Sequence, residues 1–339
     1  MSSRISVFGA GSWGTALSIS LAGHGHSVTL WARRPHVAKT IVRERRNPGY
    51  LSEAVIPESV VITDNLRVAA RESDHWVIAT PSHAVRTLAT DLREYCDKGK
   101  TVVSVAKGIE NKTELTTTAV LADVLTPPVP KSDLVALYGP SHAEEVAAGQ
   151  PTALVAAATN LDKAEAVRSI FMTERLRVYV NDDVRGVEIG GSVKNIMAIA
   201  SGISDGVGYG DNARAALITR GIVEIQRLGS VLGAKPQTLT GLTGLGDLVV
   251  TCTSRHSRNR RLGEAIGRGA TLDEITTSTS MVAEGVRTTK AVYHMAKRLG
   301  IEMPITEAVY AILFGRKRPA DAVRKLMTRS AKQEEFLLV

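Results

Sequence analysis

In the first half of the chain, apolar residues come in short β-rich runs bounded by turn residues: 5–8, 27–31, 76–80, 101–105, 134–138, 152–157 and 176–180. Helical spacing fills several intervals between them, as in the segment through Val85, Leu88 and Leu92. Strands alternating with helices predict a parallel sheet covered on both faces. From about Val187 the period changes. Residues 213–232 and 290–299 repeat as helices, 282–306 divides into two helical stretches punctuated by Gly300 and Pro304, and none of this half reads as a strand. Residues 276–280, made of Thr and Ser, read as an exposed loop.

The first run continues as Ile5-Ser6-Val7-Phe8-Gly9-Ala10-Gly11-Ser12-Trp13-Gly14-Thr15-Ala16-Leu17, a strand, a G-x-G-x-x-G turn and a helix of small apolar residues. Gly9 permits the tight turn and Gly11 lets a pyrophosphate approach the backbone. Gly14 lets the helix lie against the strand, with the N–H groups of its first turn facing the anion. A purely structural glycine turn is the plainer alternative; the strand–turn–helix context favours a dinucleotide. The expected fold is therefore α/β: a Rossmann-like, doubly wound, mostly parallel sheet in a dinucleotide-binding domain over residues 1–186, and an all-α substrate-binding domain over 187–339, divided near Asn181-Asp182-Asp183. About 20 residues past the glycines, an NAD site offers a carboxylate to the ribose. This chain offers Trp31-Ala32-Arg33-Arg34 instead. Two guanidiniums attract a 2′-phosphate and stack on adenine, so NADP(H) is the favoured cofactor, with NAD(H) possible; a solvated basic turn is the alternative.

A chain of 339 residues exceeds one hydrophobic core, which fits two domains. The net charge of +8 raises the question of nucleic acid. Lys and Arg are dispersed, however, and aromatics make up only 4% of the chain, so a basic balance suited to phosphorylated ligands is the better reading. Cys96 and Cys252 have neither metal spacing nor a disulfide framework, as in a reducing compartment. Glycines interrupt the N-terminal apolar stretch where a secretion helix would be continuous. No apolar run approaches the ~18–20 residues that span a bilayer. The expectation is a soluble, cytoplasmic protein without a membrane span and without a metal.

Two segments of the second half carry chemistry. Gly190 to Ala200 reads as a helix packed on nearly all sides, yet it holds Lys194 and Asn195. A buried ammonium needs a carboxylate, a ligand or a route to solvent. Held near neutrality by burial, it could act as general acid or base for an alcohol–ketone pair. Asp247, in Gly241-Leu242-Thr243-Gly244-Leu245-Gly246-Asp247, is the candidate partner, or else a helix cap. Pairing and burial pull the lysine in opposite directions, and the sequence leaves the outcome open. Arg255-His256-Ser257-Arg258-Asn259-Arg260-Arg261 opens a helix and is either a phosphate cradle or a solvated basic loop. His142 and His256 read as bystanders.

With Ala106-Lys107-Gly108, Gly139-Pro140-Ser141-His142-Ala143, Gly191-Ser192-Val193-Lys194-Asn195 and Ser257-Arg258-Asn259 added to the two glycine motifs, nearly the whole chain resembles the bacterial NAD(P)-dependent glycerol-3-phosphate dehydrogenases. The resemblance implies cofactor contacts at Ser12, Trp13, Arg33, Arg34, Lys107, Ala143, Arg258, Val282 and Glu284. It implies substrate contacts at Lys107, Gly139, Ser141, Lys194, Asp247, Ser257, Arg258 and Asn259. Lys194 would carry the proton, with Asn195, Asp247 and Thr251 orienting the reacting oxygen. It further implies dihydroxyacetone phosphate and sn-glycerol 3-phosphate as substrates, a homodimer, and supply of glycerol 3-phosphate for phospholipid synthesis. Two alternatives stand beside it. One is a related two-domain reductase of unphosphorylated hydroxyacids or ketopantoate; the other is a non-catalytic dinucleotide-sensing or nucleic-acid-binding protein.

Overall fold

The computed structural model describes residues 2–96, 99–278 and 283–330. The chain falls into two compact units: Met1–Ala106 with Thr117–Val184, and Lys107–Thr116 with Arg185–Val339.

The first unit is an eight-stranded sheet in the order β3-β2-β1-β4-β5-β6-β7-β8. The strands are β1 (Arg4–Phe8), β2 (Ser27–Trp31), β3 (Val61–Thr63), β4 (His75–Ile78), β5 (Thr101–Ser104), β6 (Leu134–Tyr138), β7 (Thr152–Ala157) and β8 (Leu176–Asn181). Every neighbouring pair is parallel except β6 and β7. The connecting helices are α1 (Ser12–Gly23), α2 (Pro35–Glu44), α3 (Leu66–Arg71), α4 (Val85–Leu92), α5 (Thr117–Leu125), α6 (Ala143–Ala147) and α7 (Leu161–Phe171). The near-continuous apolar runs of β1, β4, β5 and β6 are what a strand buried on both faces requires, and from Ile5, Trp76, Thr101 and Leu134 onward these strands are buried throughout. The order reverses between β1 and β4, and the glycine turn follows β1 at that switch point.

The second unit is helical: α8 (Val184–Val207), α9 (Asp211–Val231), α10 (Pro236–Thr240), α11 (Asp247–Thr253), α12 (Arg258–Gly267), α13 (Leu272–Ser278), α14 (Glu284–Leu299), α15 (Pro304–Gly315) and α16 (Pro319–Met327). Helix α8 is its axis, buried without a break from Gly186 to Ser204. Glycines bring α12 against it. A Cβ on Gly202 would stand 1.9 Å from the Arg260 carbonyl oxygen, and one on Gly263 would stand 2.1 Å from that of Ile199. Backbone lies on backbone there, which fixes the start of α12 against the helix that carries Lys194.

The structure differs from the sequence reading in three places. The strand β3 is additional; it is only three residues long and too short to show alternation. Of the expected loop 276–280, residues 276–278 belong to α13 and 279–280 lie outside the described residues; Thr271 and Glu274 open that helix with a reciprocal capping box, in which Thr271 Oγ1 accepts from the Glu274 N–H at 3.3 Å and Glu274 Oε2 accepts from the Thr271 N–H at 2.8 Å. The segment Lys107–Thr116, which precedes the turn at 181–183 by many residues, belongs to the helical unit, since Ile109 is buried in that unit's apolar core. Among the described residues no helix is long and apolar enough to cross a membrane.

Candidate functional site

In the sheet unit the glycine turn is built by contact. Gly9 has φ +125°, and a Cβ there would stand 2.8 Å from the backbone of Ala79 on the neighbouring strand's end. A Cβ on Gly14 would stand 2.0 Å from the Gly9 carbonyl oxygen. Gly11 differs: nothing lies within 4 Å of its Cβ position, so packing does not demand a glycine there and open space stands above the backbone. The loop is held from the side by Asn47, whose Nδ2 donates to the Ala10 carbonyl at 3.0 Å and to Thr15 Oγ1 at 2.9 Å, and by Ser12 Oγ, which donates to the Tyr50 carbonyl at 2.9 Å. Helix α1 carries no acidic residue of its own in its first turn, where the helix end favours an anion. These residues fit a dinucleotide pyrophosphate.

Arg33 and Arg34 are exposed beyond β2. The Arg34 guanidinium donates to the Tyr50 hydroxyl at 2.7 Å and lies 5.9 Å from that ring's centroid, an aromatic brace that orients it. Trp13 packs in one small apolar cluster with Ala16, Leu51, Ala143 and Val146. Gly139 has φ +149° against the Ala153 carbonyl, and Ser141 Oγ donates to the Gly139 carbonyl at 3.0 Å.

In the helical unit four residues converge. Lys194 Nζ donates to Asp247 Oδ1 at 2.5 Å and to Thr251 Oγ1 at 2.7 Å; Lys107 Nζ donates to Asp247 Oδ2 at 2.7 Å. Thr251 Oγ1 in turn donates to the Asp247 carbonyl at 2.6 Å. Asp247 is 1% exposed and Lys194 6%. A π-helical turn over Leu242–Gly246 delivers Asp247 to the first position of α11, and the carboxylate faces the lysines instead of capping the helix. Two cations thus share one carboxylate in a buried setting. Burial drives the Lys194 ammonium down from its ordinary 10.5 to about 8, with Asp247 pulling it up and Lys107 pushing it down. Burial pushes the Asp247 carboxyl up, but the two lysines outweigh it and leave it below its ordinary value. The neighbouring Cys252 thiol is pushed up to about 12 by burial, so it stays a thiol.

Asn195 joins a different chain of bonds. Its Oδ1 accepts from Asn259 Nδ2 at 2.9 Å, and Asn259 Oδ1 accepts from the Gly285 N–H at 2.9 Å, at the start of α14. Ser257 caps α12, its Oγ accepting from the Arg260 N–H at 3.2 Å. Arg258 occupies the first position of that helix and is half-buried. Arg260 is committed elsewhere, to Asp205 Oδ2 at 2.7 Å. Glu284 is the first residue of α14, and Val282 lies outside the described residues. Among the described residues no group of His, Cys, Asp and Glu is arranged to hold a metal ion.

Sequence reasoning paired Lys194 with Asp247 but not Lys107 with Asp247, which lie 140 positions apart. It also passed over Asn47 and Tyr50, the residues that hold the glycine loop and Arg34. Lys107 itself is marked by the Ala106-Lys107-Gly108 motif and the family resemblance, whereas nothing in the sequence signals its bond to Asp247.

Comparison with known proteins agrees with this geometry. A family model described as the NAD-dependent glycerol-3-phosphate dehydrogenase N-terminus matches residues 4–164, and its C-terminal counterpart matches residues 183–324. The chain is 60% identical over 335 residues to glycerol-3-phosphate dehydrogenase [NAD(P)+] 1 of Salinibacter ruber, covering 99% of this chain and 98% of that protein. It is 53% identical over 331 residues to glycerol-3-phosphate dehydrogenase [NAD(P)+] of Chlorobium luteolum, covering 98% and 99%. The crystal structure of glycerol-3-phosphate dehydrogenase from Coxiella burnetii superposes with a TM-score of 0.92 at 41% identity, over 97% of this chain and 99% of that one. The chain belongs to the NAD-dependent glycerol-3-phosphate dehydrogenase family.

Proposed function

We infer that this protein is an NAD(P)-dependent oxidoreductase that interconverts sn-glycerol 3-phosphate and dihydroxyacetone phosphate, with Lys194 as its proton carrier. Family membership supports the reaction. The observation that carries the residue assignment is the Lys194 ammonium, buried beside Asp247 and Thr251 and brought down to about 8. When bound, the cofactor supplies or accepts the hydride. The chain then has to bind, align and move one proton. In alcohol oxidation, neutral Lys194 Nζ takes the proton from the substrate hydroxyl; in ketone reduction, the ammonium returns it to the forming alkoxide oxygen. Asp247 and Thr251 hold Nζ in place, and Lys107 keeps the carboxylate from pinning Lys194 in its charged form.

The substrate phosphate belongs to Arg258, Ser257 and Asn259 at the start of α12, where the helix end and a guanidinium favour an anion. Lys107, Gly139 and Ser141 complete the proposed substrate contacts. The cofactor is assigned to Gly9, Gly11, Ser12, Trp13, Gly14, Arg33, Arg34, Lys107, Ala143, Arg258 and Glu284, with Val282 kept from the family resemblance alone. NADPH is the preferred form in this reading, the protein works as a homodimer in the cytoplasm, and its product feeds phospholipid synthesis.

The test is loss of absorbance at the reduced-nicotinamide band with dihydroxyacetone phosphate supplied, run with NADPH and with NADH. No turnover with either sinks the assignment. Replacing both Arg33 and Arg34 by Ala is expected to weaken NADPH by roughly tenfold or more and NADH far less, because only the former offers a 2′-phosphate; equal losses by fluorescence titration would remove the preference for NADPH. Arg258→Ala is expected to raise KM for dihydroxyacetone phosphate by roughly ten- to a hundredfold, the range for losing a hydrogen bond to a charged group. Comparable turnover of an unphosphorylated hydroxyacid would instead point to a reductase of that class.

A further inference from the structure

We propose that Thr116 and Glu188 are positioning residues: their hydrogen bond anchors the excursion Lys107–Thr116 to helix α8 and so holds Lys107 on Asp247. The inference rests on the proton role of Lys194 given above.

The excursion is a strand-like loop closed at its neck. Ile109 pairs with Thr116 in an antiparallel bridge, and the Glu110 N–H donates to the Leu115 carbonyl at 2.9 Å. Closing the neck sets the shape of the loop but leaves its placement on α8 undetermined. Contacts outside the loop supply that placement. Ile109, 2% exposed, is buried in the core of the helical unit. Thr116 Oγ1 donates to Glu188 Oε2 at 2.6 Å, on the same helix as Lys194. Glu188 is itself only 1% exposed, so this is a bond to a desolvated carboxylate and therefore among the stronger kind. A third contact joins half-buried Glu114 to the exposed guanidinium of Arg298, which solvent screens. Apolar packing of one isoleucine tolerates sliding and rotation; a directional bond to a fixed carboxylate does not. Thr116 pairs with Ile109, two residues from Lys107, so a loop pivoting at its neck carries the Lys107 ammonium away from Asp247 Oδ2.

The groups facing Lys194 are Asp247 and Thr251 from α11, Lys107 from the excursion and Cys252 from α11. Of these only Lys107 lowers the lysine by its charge. Withdrawing Lys107 removes a repulsion and frees Asp247 to attract Lys194 more strongly, and both effects move the Lys194 titration upward.

Thr116→Val keeps the shape of the side chain and removes the donor; Thr116→Ser keeps the donor. In Thr116→Val, Lys107 is expected to react several-fold faster with an amine-directed reagent, read by peptide mass spectrometry. The limb of the kcat profile for alcohol oxidation should rise by roughly one pH unit, and kcat/KM should fall by roughly tenfold or more. Thr116→Ser should restore all three. Should Thr116→Val not fold, Glu188→Gln, which weakens the acceptor by removing its charge, is expected to show the same changes at smaller size. A wild-type labelling rate at Lys107, or an unmoved limb in a folded variant, overturns the positioning role. A Lys194→Ala variant with near wild-type kcat and an unmoved limb overturns the proton role beneath it, which separates the two failures.

Discussion

Lys194→Ala is expected to lower kcat in both directions by roughly 10²–10⁴-fold, the usual contribution of a general acid–base group, and to leave NADPH affinity unchanged. The two halves of that expectation come from different parts of the chain. The glycine turn is held within the sheet unit by Asn47, Ser12 and Tyr50, so binding of the dinucleotide has its own supports. Removing the Lys194 ammonium leaves Lys107 and Asp247 as a matched pair, so the variant does not acquire an unpaired buried charge and its melting temperature should change modestly. In the wild type, alcohol oxidation needs the neutral amine and should speed up as pH rises through about 8; ketone reduction needs the ammonium and should slow over the same interval. Both limbs should vanish in the variant, whatever residual rate remains. A variant with a wild-type limb near that pH would assign the titration, and the proton, to some other group.

The legible part of the molecule is the part written in local pattern. Strands such as β5 and β6 are nearly continuous apolar runs between turn residues, and helix α8 is apolar over many turns, so both show in a short window of sequence. The glycine turn is legible for the same reason: Gly14 must clear the carbonyl of Gly9, five residues before it. Lys194 and Asp247 stood out because each is a lone charge in an apolar segment, and a charge there must find a partner. Lys107 was only half legible. Its partner is 140 positions away, and nothing local distinguishes a lysine bonded to a buried carboxylate from a lysine ending a strand in solvent. The transfer of Lys107–Thr116 into the helical unit was hidden too, since it depends on one buried isoleucine and on a threonine whose acceptor lies 72 positions on. The family resemblance implies a role for Asn195 beside the reacting oxygen, but no local pattern shows that its Oδ1 accepts from Asn259. Successive positions on a helix point about 100° apart, so adjacency in sequence is a poor guide to company in space.

Asp247→Ala should be the most destabilising single change in the site. The variant leaves the Lys194 ammonium buried with only the Thr251 hydroxyl as partner, and Lys107 loses its carboxylate as well. Removing one member of a buried ion pair costs about 3–5 kcal/mol, against little for an exposed pair. For a chain of 339 residues that is a fall in melting temperature of roughly 4–7 degrees. The pH dependence distinguishes this cause from simple loss of packing. A buried lysine whose folded titration lies below its unfolded one holds fewer protons folded than unfolded between the two values, so stability rises with pH across that window. In the wild type the window opens near 8. Without Asp247 the attraction that raised Lys194 is gone, the folded titration drops further, and the window opens at lower pH. The deficit of Asp247→Ala relative to wild type should therefore shrink as pH is raised through the neutral range, because the variant sheds its buried charge first. Asp247→Asn, which keeps an oxygen acceptor for Lys194, should lose less stability and still show the downward shift. Ketone reduction should suffer more than alcohol oxidation near neutral pH in both variants, since each depletes the ammonium that donates the proton. Melting curves recorded across the pH range decide the matter: a deficit that stays constant with pH would mean that Asp247 acts by shape and packing, and that charge pairing with Lys194 is not what holds this part of the fold.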